Sequence, residues 1–501
     1  MALVVDLTDR KSVVPRQHRH AQLPMRPPNP FAPRSYGDLE RVTDRVYLWR
    51  NIVNSTIFVG DHGLAVVDTQ VNQAGARRLL SVLREQFAVP VRYAINTHYH
   101  WDHTAGNSIF QAAGAVLVAS RRTGAAIAER QPRQKSFLAS RGFELGPDPT
   151  GPDLLAEDQP NLDLGGLHLH LTPGLRAESF DPLLVRCPDQ GVLASGDSVM
   201  TGSFPIFGQP SQDEGLRDDG WLAALAEIRA SGLPMVCPGH GPVARGPELD
   251  LLERICRYFL DTVRTHHAAG RDLAGTIRVM EDEMPAWITR IPEVWGTPRY
   301  AILRVWSGLT NLGQPGWQHV KPSAIPRHAD AVAAQADLAG WEALVSQAQE
   351  GGDQALAVSA AEAATAALPL QPGAWTLAAS AYIAASRGIA SVLEKGDCFD
   401  AARTALNRAL ALDPNFGPAL LQRGQYHVMV AFRNGDDPTD GEEHLDRAAS
   451  WPGLTIRQQA EVVFYRGIAA RTRGDEPGAK ACFGAALQTD PSFMPALLAG
   501  R

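Results

Sequence analysis

Three histidines and one aspartate fall within the six residues His98–His103, which read HYHWDH. Imidazole nitrogens bind zinc, iron and copper, and a nearby carboxylate extends such a ligand set toward harder ions. Two ions about 3.5–4 Å apart can share one water molecule and activate it at neutral pH. The alternative is a histidine-rich surface loop, but residues further along the chain supply the ligands that this stretch lacks. We therefore expect a site for two metal ions.

The elements that would position these ligands are strands that end in turns. The run Val91–Ile95 predicts a strand that stops just before His98. The run Val192–Asp197 predicts a buried strand that delivers a carboxylate at its end, and Met235–His240 does the same with an imidazole. Glycine and proline beside each ligand allow tight turns and close backbone approach. Each short pattern is weak alone, and their order along the chain makes the combination strong.

The HYHWDH stretch resembles the His-X-His-X-Asp-His motif of the metallo-β-lactamase superfamily, and the resemblance covers roughly residues 38–260. Segments 46–49, 54–60 and 65–69 look like the opening hairpins of that fold, with Asp68 as its usual structural acid. The resemblance implies an α/β fold, a four-layer αβ/βα sandwich with a dinuclear metal site at one edge.

The resemblance also implies a role for each ligand. His98 and His100 would bind the first ion, and Asp102, His103 and His240 the second, while Asp197 would bridge the two. Asp102 would in addition orient the attacking hydroxide, which makes it the predicted catalytic residue.

One position departs from the superfamily pattern, which has Pro-Gly-His where this chain has Pro173-Gly174-Leu175. Leucine cannot bind a metal, so we expect Glu178 to fill the position, with Asp181 as the alternative. A third possibility is an incomplete site that holds water or a single ion. His168 and His170 alternate along a predicted strand and precede the loop, so they are interpreted as its polar face and not as ligands.

Replacement of that histidine by glutamate is a feature of the alkylsulfatase-like group of the superfamily. Segments 257–267 and 300–317 are similar to the helical dimerisation region that follows the metal domain in that group. The match is partial, because the bridging acid there is usually glutamate and a Leu-His-Asn stretch that follows it is missing here.

The expected chemistry is hydrolysis by a hydroxide that bridges two Zn²⁺ ions. Its substrate would be a small molecule with an ester-type bond, either a sulfate ester, a carboxylic ester or thioester, or a lactone. A second hypothesis is a di-iron or dimanganese oxygenase on the same fold, because three carboxylates among seven ligands suit redox-active ions. A third is an interaction scaffold in which the metal domain is inert.

The chain is predicted to have four segments. Residues 1–37 are a Pro/Arg-rich arm, 38–250 the metal-binding catalytic domain and 251–337 a helical extension and linker. Residues 338–501 are predicted to form an all-α, tetratricopeptide-like domain that could form a homodimer or bind a protein partner. Their helices are punctuated by Pro372, Pro414, Pro452 and Pro491, which lie 42, 38 and 39 residues apart. An ordinary helical bundle is the alternative.

The composition of the chain limits which partners and which compartment we expect. The net charge of −7 does not indicate the basic surface that nucleic-acid binding requires. The five cysteines are far apart and odd in number, which favours free buried thiols in the cytoplasm. We find no apolar run typical of a signal peptide or a membrane span.

Two features near the site have two interpretations each. Arg176 could bind an anionic group or be solvated, and residues 204–210 could form an apolar wall or pack as an ordinary loop.

Overall fold

The computed structural model describes residues 37–139, 151–207, 220–310, 324–389 and 391–499. These fall into two compact units, the sheet unit (residues 37–310) and the helical unit (residues 324–499). The predicted N-terminal arm lies, apart from Gly37, outside the described residues. The helices between residues 246 and 310 belong to the same compact unit as the strands, which matters for the site below.

The first sheet has seven strands in sequential order. The strands are β1 Asp38–Arg41, β2 Val46–Arg50, β3 Ser55–Val59, β4 Leu64–Val67, β5 Val91–Ile95, β6 Val116–Ala119 and β7 Leu154–Leu155. Strands β1 to β4 pair antiparallel, and β4 to β7 pair parallel. The parallel strands β4 and β5 therefore end at the same edge of the sheet, where Asp68 and the HYHWDH stretch follow them.

The second sheet has five strands in the order β12-β11-β10-β9-β8. The strands are β8 Asn161–Asp163, β9 His168–Pro173, β10 Leu183–Cys187, β11 Val192–Met200 and β12 Met235–His240. Strand β11 pairs parallel with β12 and antiparallel with β10. Asp197 and His240 are thus carried by neighbouring strands that run in the same direction.

The helices of the sheet unit follow or connect these strands. They are α1 Gln73–Gln86, α2 Trp101–Thr104, α3 Asn107–Ala112, α4 Arg121–Ala139, α5 Gly220–Ala230, α6 Gly246–Ala268, α7 Leu273–Asp282, α8 Ala286–Thr289 and α9 Pro298–Thr310. Helix α1 begins where the side chain of Asn72 accepts a hydrogen bond from the backbone N–H of Gly75, a standard N-cap.

Side-chain alternation along the strands produces four layers. In β4, Leu64 and Val66 face helix α1 with Leu79, whereas Ala65 and Val67 face the second sheet. The side chains of β11 also alternate between two faces. Val192 and Ala194 face the first sheet, and Leu193 faces α5 and α6. Because successive side chains of a strand point to opposite faces, each sheet buries one face on its partner and the other on helices. The predicted αβ/βα sandwich is confirmed.

The helices after β12 complete the outer layer of the second sheet. Ile255 and Phe259 of α6 and Ile302 of α9 belong to the same buried apolar cluster as Leu193 and Val236 of that sheet. Burial of apolar side chains contributes about 25 cal/mol per Å², so this shared cluster stabilises the packing of α6 and α9 on the sheet.

The helical unit contains helices only, within the part of the chain that the structure describes. They are α10 Leu338–Glu350, α11 Gln354–Ala367, α12 Pro372–Ser386, α13 Val392–Leu412, α14 Gly417–Asn434, α15 Thr439–Ala449, α16 Ile456–Thr472, α17 Glu476–Thr489 and α18 Met494–Ala499. Helices α13 and α17 end at Leu412 and Thr489, just before Asp413-Pro414 and Asp490-Pro491, as the sequence predicts. The predicted helix-rich region is confirmed, and its tetratricopeptide character stays a prediction.

Two further expectations concern the whole chain. All five cysteines are free thiols, and burial raises the pKa of Cys237 to about 12, so it acts as a packing residue. Among the described residues, no helix combines the length and the apolar content needed to cross a bilayer.

Candidate metal site

The first group of candidate ligands follows β5. Because β5 ends at Ile95, the chain turns immediately, and His98 and His100 are buried at the sheet edge. Their facing nitrogens, His98 Nε2 and His100 Nδ1, are 3.1 Å apart. Asp102 and His103 lie on the short helix α2, which starts at Trp101. The stretch therefore brings all four predicted side chains to one edge of the first sheet.

Asp197 reaches the site because strand β11 is irregular at the preceding residue. The pairing of β11 with β12 shifts register around Gly196, whose φ is +51°. A Cβ at Gly196 would lie 2.3 Å from Thr97 Oγ1, so only glycine fits this close approach of the two sheets. The carboxylate of Asp197 is thereby directed to the histidines of the first sheet.

His240 is held by a turn that is fastened from the first sheet. The side-chain amide of Asn54 donates to the carbonyls of Pro238 and Gly241, at 2.9 and 2.7 Å. The backbone N–H of Asn54 donates to Gly239 O at 2.8 Å. A Cβ at Gly239 would lie 2.0 Å from Asp197 Oδ1, so the absence of a side chain there makes room for the carboxylate.

Glu178 lies in the loop between β9 and β10. The loop is closed at its base by the N–H of Gly174, which donates to Pro182 O at 2.7 Å. Within it Leu175 is exposed, whereas Glu178 is buried with its Oε2 3.3 Å from His100 Nδ1. Asp181 is also buried but belongs to neither of the two groups of potential ligands described below. The loop therefore places Glu178, three residues after the leucine, beside the histidines.

The seven predicted ligands form two neighbouring groups. The first group comprises His98, His100, Glu178 and Asp197, and the second comprises Asp102, His103 and His240. Asp197 contacts both: its Oδ1 is 3.4 Å from His103 Nε2, and its Oδ2 is 3.4 Å from His240 Nε2 and 3.9 Å from His98 Nε2. This is the position that a bridging carboxylate requires.

Hydrogen bonds outside the site fix which nitrogen of His98, His103 and His240 faces inward. Nδ1 of His240 donates to the carbonyl of Ile52 at 2.7 Å, because a carbonyl can only accept. Nδ1 of His103 lies 2.8 Å from Asp68 Oδ2. His98 Nδ1 lies 3.0 Å from the hydroxyl of Thr97, which in turn donates to Asp68. These three rings therefore present Nε2 to the site, since outer partners set the orientation of metal-binding histidines. His100 instead presents Nδ1 to His98 and Glu178.

The electrostatics of the site are dominated by burial and by carboxylates beside imidazoles. Burial alone would lower the pKa of His240, but Asp197 and Asp102 outweigh it and raise that pKa to about 10. Burial opposes ionisation of Asp197 as well, yet His240 and His103 hold its pKa well below the usual range. The carboxylates thus stay ionised and favour positive charge at the ring nitrogens, which either protons or metal ions can supply.

The donor atoms fit metal ions better than they fit one another. His103 Nε2, His240 Nε2 and Asp197 Oδ1 are buried and make no hydrogen bond of acceptable geometry to any described residue. His103 Nε2 lies 3.4 Å from Asp197 Oδ1, and His240 Nε2 lies 3.4 Å from Asp197 Oδ2. Both separations match the distance of about 3.3 Å between two ligands held tetrahedrally at about 2.0 Å from an ion. Buried polar atoms without partners are costly, and a bound cation would satisfy all three.

Several residues that the sequence singled out lie elsewhere. His168 and His170 occupy the exposed face of β9, where they contact Asp189 and Asn161. Arg176 is exposed, and its predicted contact with an anion stays a prediction. Phe204 and Phe207 pack in the core against Phe259, so the described part of 204–210 packs as an ordinary loop. Gly208–Pro210 lie outside the described residues.

The structure also brings in residues that sequence reasoning missed. Thr97 and Asn54 act through hydrogen bonds to Asp68 and to the His240 turn, and only their positions beside predicted strand ends could have indicated them. Trp295, from the segment between α8 and α9, packs against His240 with ring centroids 4.8 Å apart. No local pattern in the sequence connects Trp295 to the ligands, which lie at least 55 residues away along the chain.

Comparison with known proteins finds a family match within the sheet unit. Residues 48–240 match the family model described as the metallo-beta-lactamase superfamily. A curated relative, the linear primary-alkylsulfatase of a Pseudomonas species, is 21% identical in an alignment of 294 positions that covers 49% of this chain and 53% of the relative. The chain thus spans about half the length of the curated relative it matches.

Solved structures extend the comparison to the fold. A double mutant of the sec-alkyl sulfatase PisA1 is 16% identical and has a TM-score of 0.54, over 74% of this chain and 66% of that one. A metallo-beta-lactamase from Pontibacter korlensis is 20% identical with a TM-score of 0.37, over 44% of this chain and 97% of that one. At these identities the likeness to PisA1 concerns the fold alone.

Proposed function

Since residues 48–240 are a metallo-beta-lactamase domain, we propose that the chain is a metal-dependent hydrolase of sulfate esters. The observation that carries the proposal is the position of Asp197 between two groups of buried nitrogen and oxygen donors. The substrate class is taken from the curated alkylsulfatase relative and from the glutamate beside His100, where the superfamily pattern has a histidine.

We propose two Zn²⁺ ions as cofactors. One would be held by His98, His100 and Glu178, the other by Asp102, His103 and His240, with Asp197 between them. Bound at this site, the ions would supply an activated water and compensate the negative charge that develops on the ester oxygens.

The chain's own residues supply orientation and a proton acceptor. Asp102 has 21% of its side chain exposed, against 5% for Asp197 and 3% for His240, so it borders the accessible side of the site. Its Oδ2 lies 3.6 Å from His240 Nε2 and 3.8 Å from His103 Nε2. A carboxylate in this position can accept a hydrogen bond from the attacking water and fix its direction of attack, which is the catalytic role we assign to Asp102.

The proposal is tested by measuring metal content and turnover together. We expect the purified chain to bind about two zinc ions and to release sulfate from primary alkyl sulfates. His98→Ala and Asp197→Ala should abolish turnover and reduce metal content, while His168→Ala, on the exposed face of β9, should leave both unchanged. A chain that gains no transition metal on titration would rule out the proposal. If the chain hydrolyses thioesters, lactones or phosphodiesters instead of sulfate esters, the proposed metal site stands and the proposed substrate class is wrong.

A second candidate is a redox-active centre that contains iron or manganese. It is favoured by one observation, the three carboxylates Asp102, Glu178 and Asp197 among seven clustered donors. Oxygen-rich ligand sets suit iron and manganese better than zinc. Metal analysis of the freshly isolated protein, with its visible absorption spectrum, separates the two candidates.

The helical unit and the cellular location complete the proposal. We propose that the helical unit, whose helices pack around their own apolar clusters, mediates a homodimer or binds a protein partner. The free thiols favour a cytoplasmic location. Sedimentation analysis of the full chain distinguishes a dimer from a monomer.

A further inference from the structure

The segment between α8 and α9, residues 290–297, is fastened to the chain that follows the strand of Asp197. The hydroxyl of Ser203 accepts hydrogen bonds from the N–H groups of Val294 and Trp295, at 3.0 and 3.2 Å. The same hydroxyl donates to Pro292 O at 2.9 Å. One serine side chain therefore makes three bonds to this segment, and it lies six residues after Asp197.

Backbone bonds reinforce the attachment. The N–H of Phe204 donates to Pro292 O at 2.7 Å, and the N–H of Gly296 donates to Phe204 O at 3.1 Å. A Cβ at Gly296 would lie 1.9 Å from Pro205 O, so glycine is required for this close approach. The position of Trp295, directly before Gly296, is thus fixed by bonds on both sides.

This attachment places the indole of Trp295 on the ring of His240. The ring centroids are 4.8 Å apart and the planes are tilted by 51°, which is within the range of aromatic contacts. Nδ1 of His240 is held by Ile52 O, and its Nε2 faces Asp102 and Asp197. The indole therefore packs on the face of the His240 ring, while both ring nitrogens face other groups.

The contact lies on the accessible side of the site. Asp102 is more exposed than Asp197 and His240, and Trp295 is itself half-buried. An ester whose anionic group reaches the donors must extend its organic part outward past Asp102 and His240. A half-buried indole beside this path offers an apolar surface to that organic part.

We propose that Trp295 is a positioning and specificity-determining residue, which holds His240 in place and packs against the alkyl group of the ester. This inference rests on the proposed function, because it presumes that the donors bind metal and that the substrate is an alkyl ester. It gives the segment between α8 and α9 a part in the site, in addition to the part of α6–α9 in the core.

The first test uses metal binding and does not depend on turnover. Metal-free protein is titrated with Co²⁺, which quenches the fluorescence of nearby tryptophans. We expect quenching in the wild type, a smaller loss of emission in Trp295→Phe, and wild-type quenching in Trp306→Phe. The Trp306 variant is a matched control, because Trp306 packs on His267 with centroids 5.0 Å apart, and His267 is not a candidate ligand. Equal quenching in both variants would overturn the placement of Trp295 beside a metal.

The second test uses a series of primary alkyl sulfates of increasing chain length. In the wild type kcat/KM should rise with each added methylene, at most about fourfold, which is the limit set by full burial of a CH₂ group. In Trp295→Leu and Gly296→Ala we expect this slope to fall by about half, in addition to the loss at every chain length that a displaced His240 would cause. Trp306→Phe should keep the wild-type slope. An equal loss of activity at every chain length would overturn the specificity role.

The two failures can be told apart. If the wild type binds no Co²⁺ and hydrolyses no sulfate ester, the proposed function fails and the inference fails with it. If the wild type binds Co²⁺ and turns over the esters while Trp295→Phe and Trp295→Leu behave like Trp306→Phe, only the inference about Trp295 fails.

Discussion

The carboxylate of Asp68 lies 2.8 Å from Nδ1 of His103 and also accepts two hydrogen bonds from Thr97. Asp68 adopts a left-handed backbone conformation, with φ of +67°. Non-glycine residues adopt this conformation at a cost, which is tolerated where surrounding bonds fix it. The backbone at the end of β4 is therefore bent to bring one carboxylate behind a candidate ligand.

Asp68→Asn should weaken metal binding without disturbing the backbone. Asparagine tolerates a positive φ, but its neutral amide cannot support the His103 ring as a carboxylate does. Loss of such an outer partner lowers metal affinity by about 10–100-fold. Competition with a chromophoric chelator measures the affinity. Asp189→Asn, which alters the exposed pair with His168, is the control, and an affinity of Asp68→Asn equal to that control would contradict the role of Asp68.

Glu178→Gln should reduce the metal content from two ions to one. The substitution keeps the shape of the side chain but removes the charge next to His100, where Oε2 lies 3.3 Å from Nδ1. Metal content per chain, measured after dialysis, provides the readout. Asp181→Asn is the matched variant, since Asp181 is buried in the same loop but outside both ligand groups. Loss of metal from Asp181→Asn and not from Glu178→Gln would reverse the assignment.

Gly239→Ala should impair turnover through the position of Asp197. The added Cβ would lie 2.0 Å from Asp197 Oδ1 and 2.9 Å from His103 Cε1. Displacement of a reacting group by about 1 Å can reduce the rate about 100-fold, and we expect a loss of that order in kcat/KM. Gly246→Ala is the control, because a Cβ there meets no atom within 4 Å. If Gly239→Ala keeps the wild-type kcat/KM, turnover does not depend on the observed position of Asp197, and the prediction is wrong.

Glu461→Gln should stabilise the helical unit at neutral pH. Burial raises the pKa of Glu461 above its ordinary value of 4.5, although the hydrogen bond from Gln425 and the charge of Arg457 oppose the shift. Because the folded pKa is raised, the contribution of Glu461 to stability is fully present below pH 4.5 and is lost as the pH rises through the folded pKa.

A neutral glutamine avoids this loss and can still accept the 2.9 Å hydrogen bond from Gln425. Thermal unfolding followed by circular dichroism from pH 4 to pH 8 provides the measurement, with Glu443→Gln as the exposed control. The midpoint of Glu461→Gln should exceed that of the wild type at neutral pH and converge with it in acid. A gap that widens as the pH falls would contradict the argument.

The local elements were predictable because their patterns are short-range. Apolar runs bounded by Gly, Pro and Asn predicted β5 and β12 with their observed bounds, since hydrogen bonding and alternation within each run suffice to define them. The HYHWDH motif predicted which side chains would meet, because ligands at the ends of neighbouring parallel strands converge on one edge of a sheet. Glu178 was inferred only by comparison with the family pattern, because this chain has leucine where the family has a histidine ligand.

The sequence by itself determined the metallo-beta-lactamase fold, the seven candidate donors and the change to helices after residue 250. The tertiary structure alone decided which nitrogen of each ring faces inward, how Gly196 and Gly239 make room for Asp197, and that Trp295 lies on His240. These features depend on contacts between residues far apart in the chain. Such contacts leave no periodic or local signal, because they are fixed by how the layers pack.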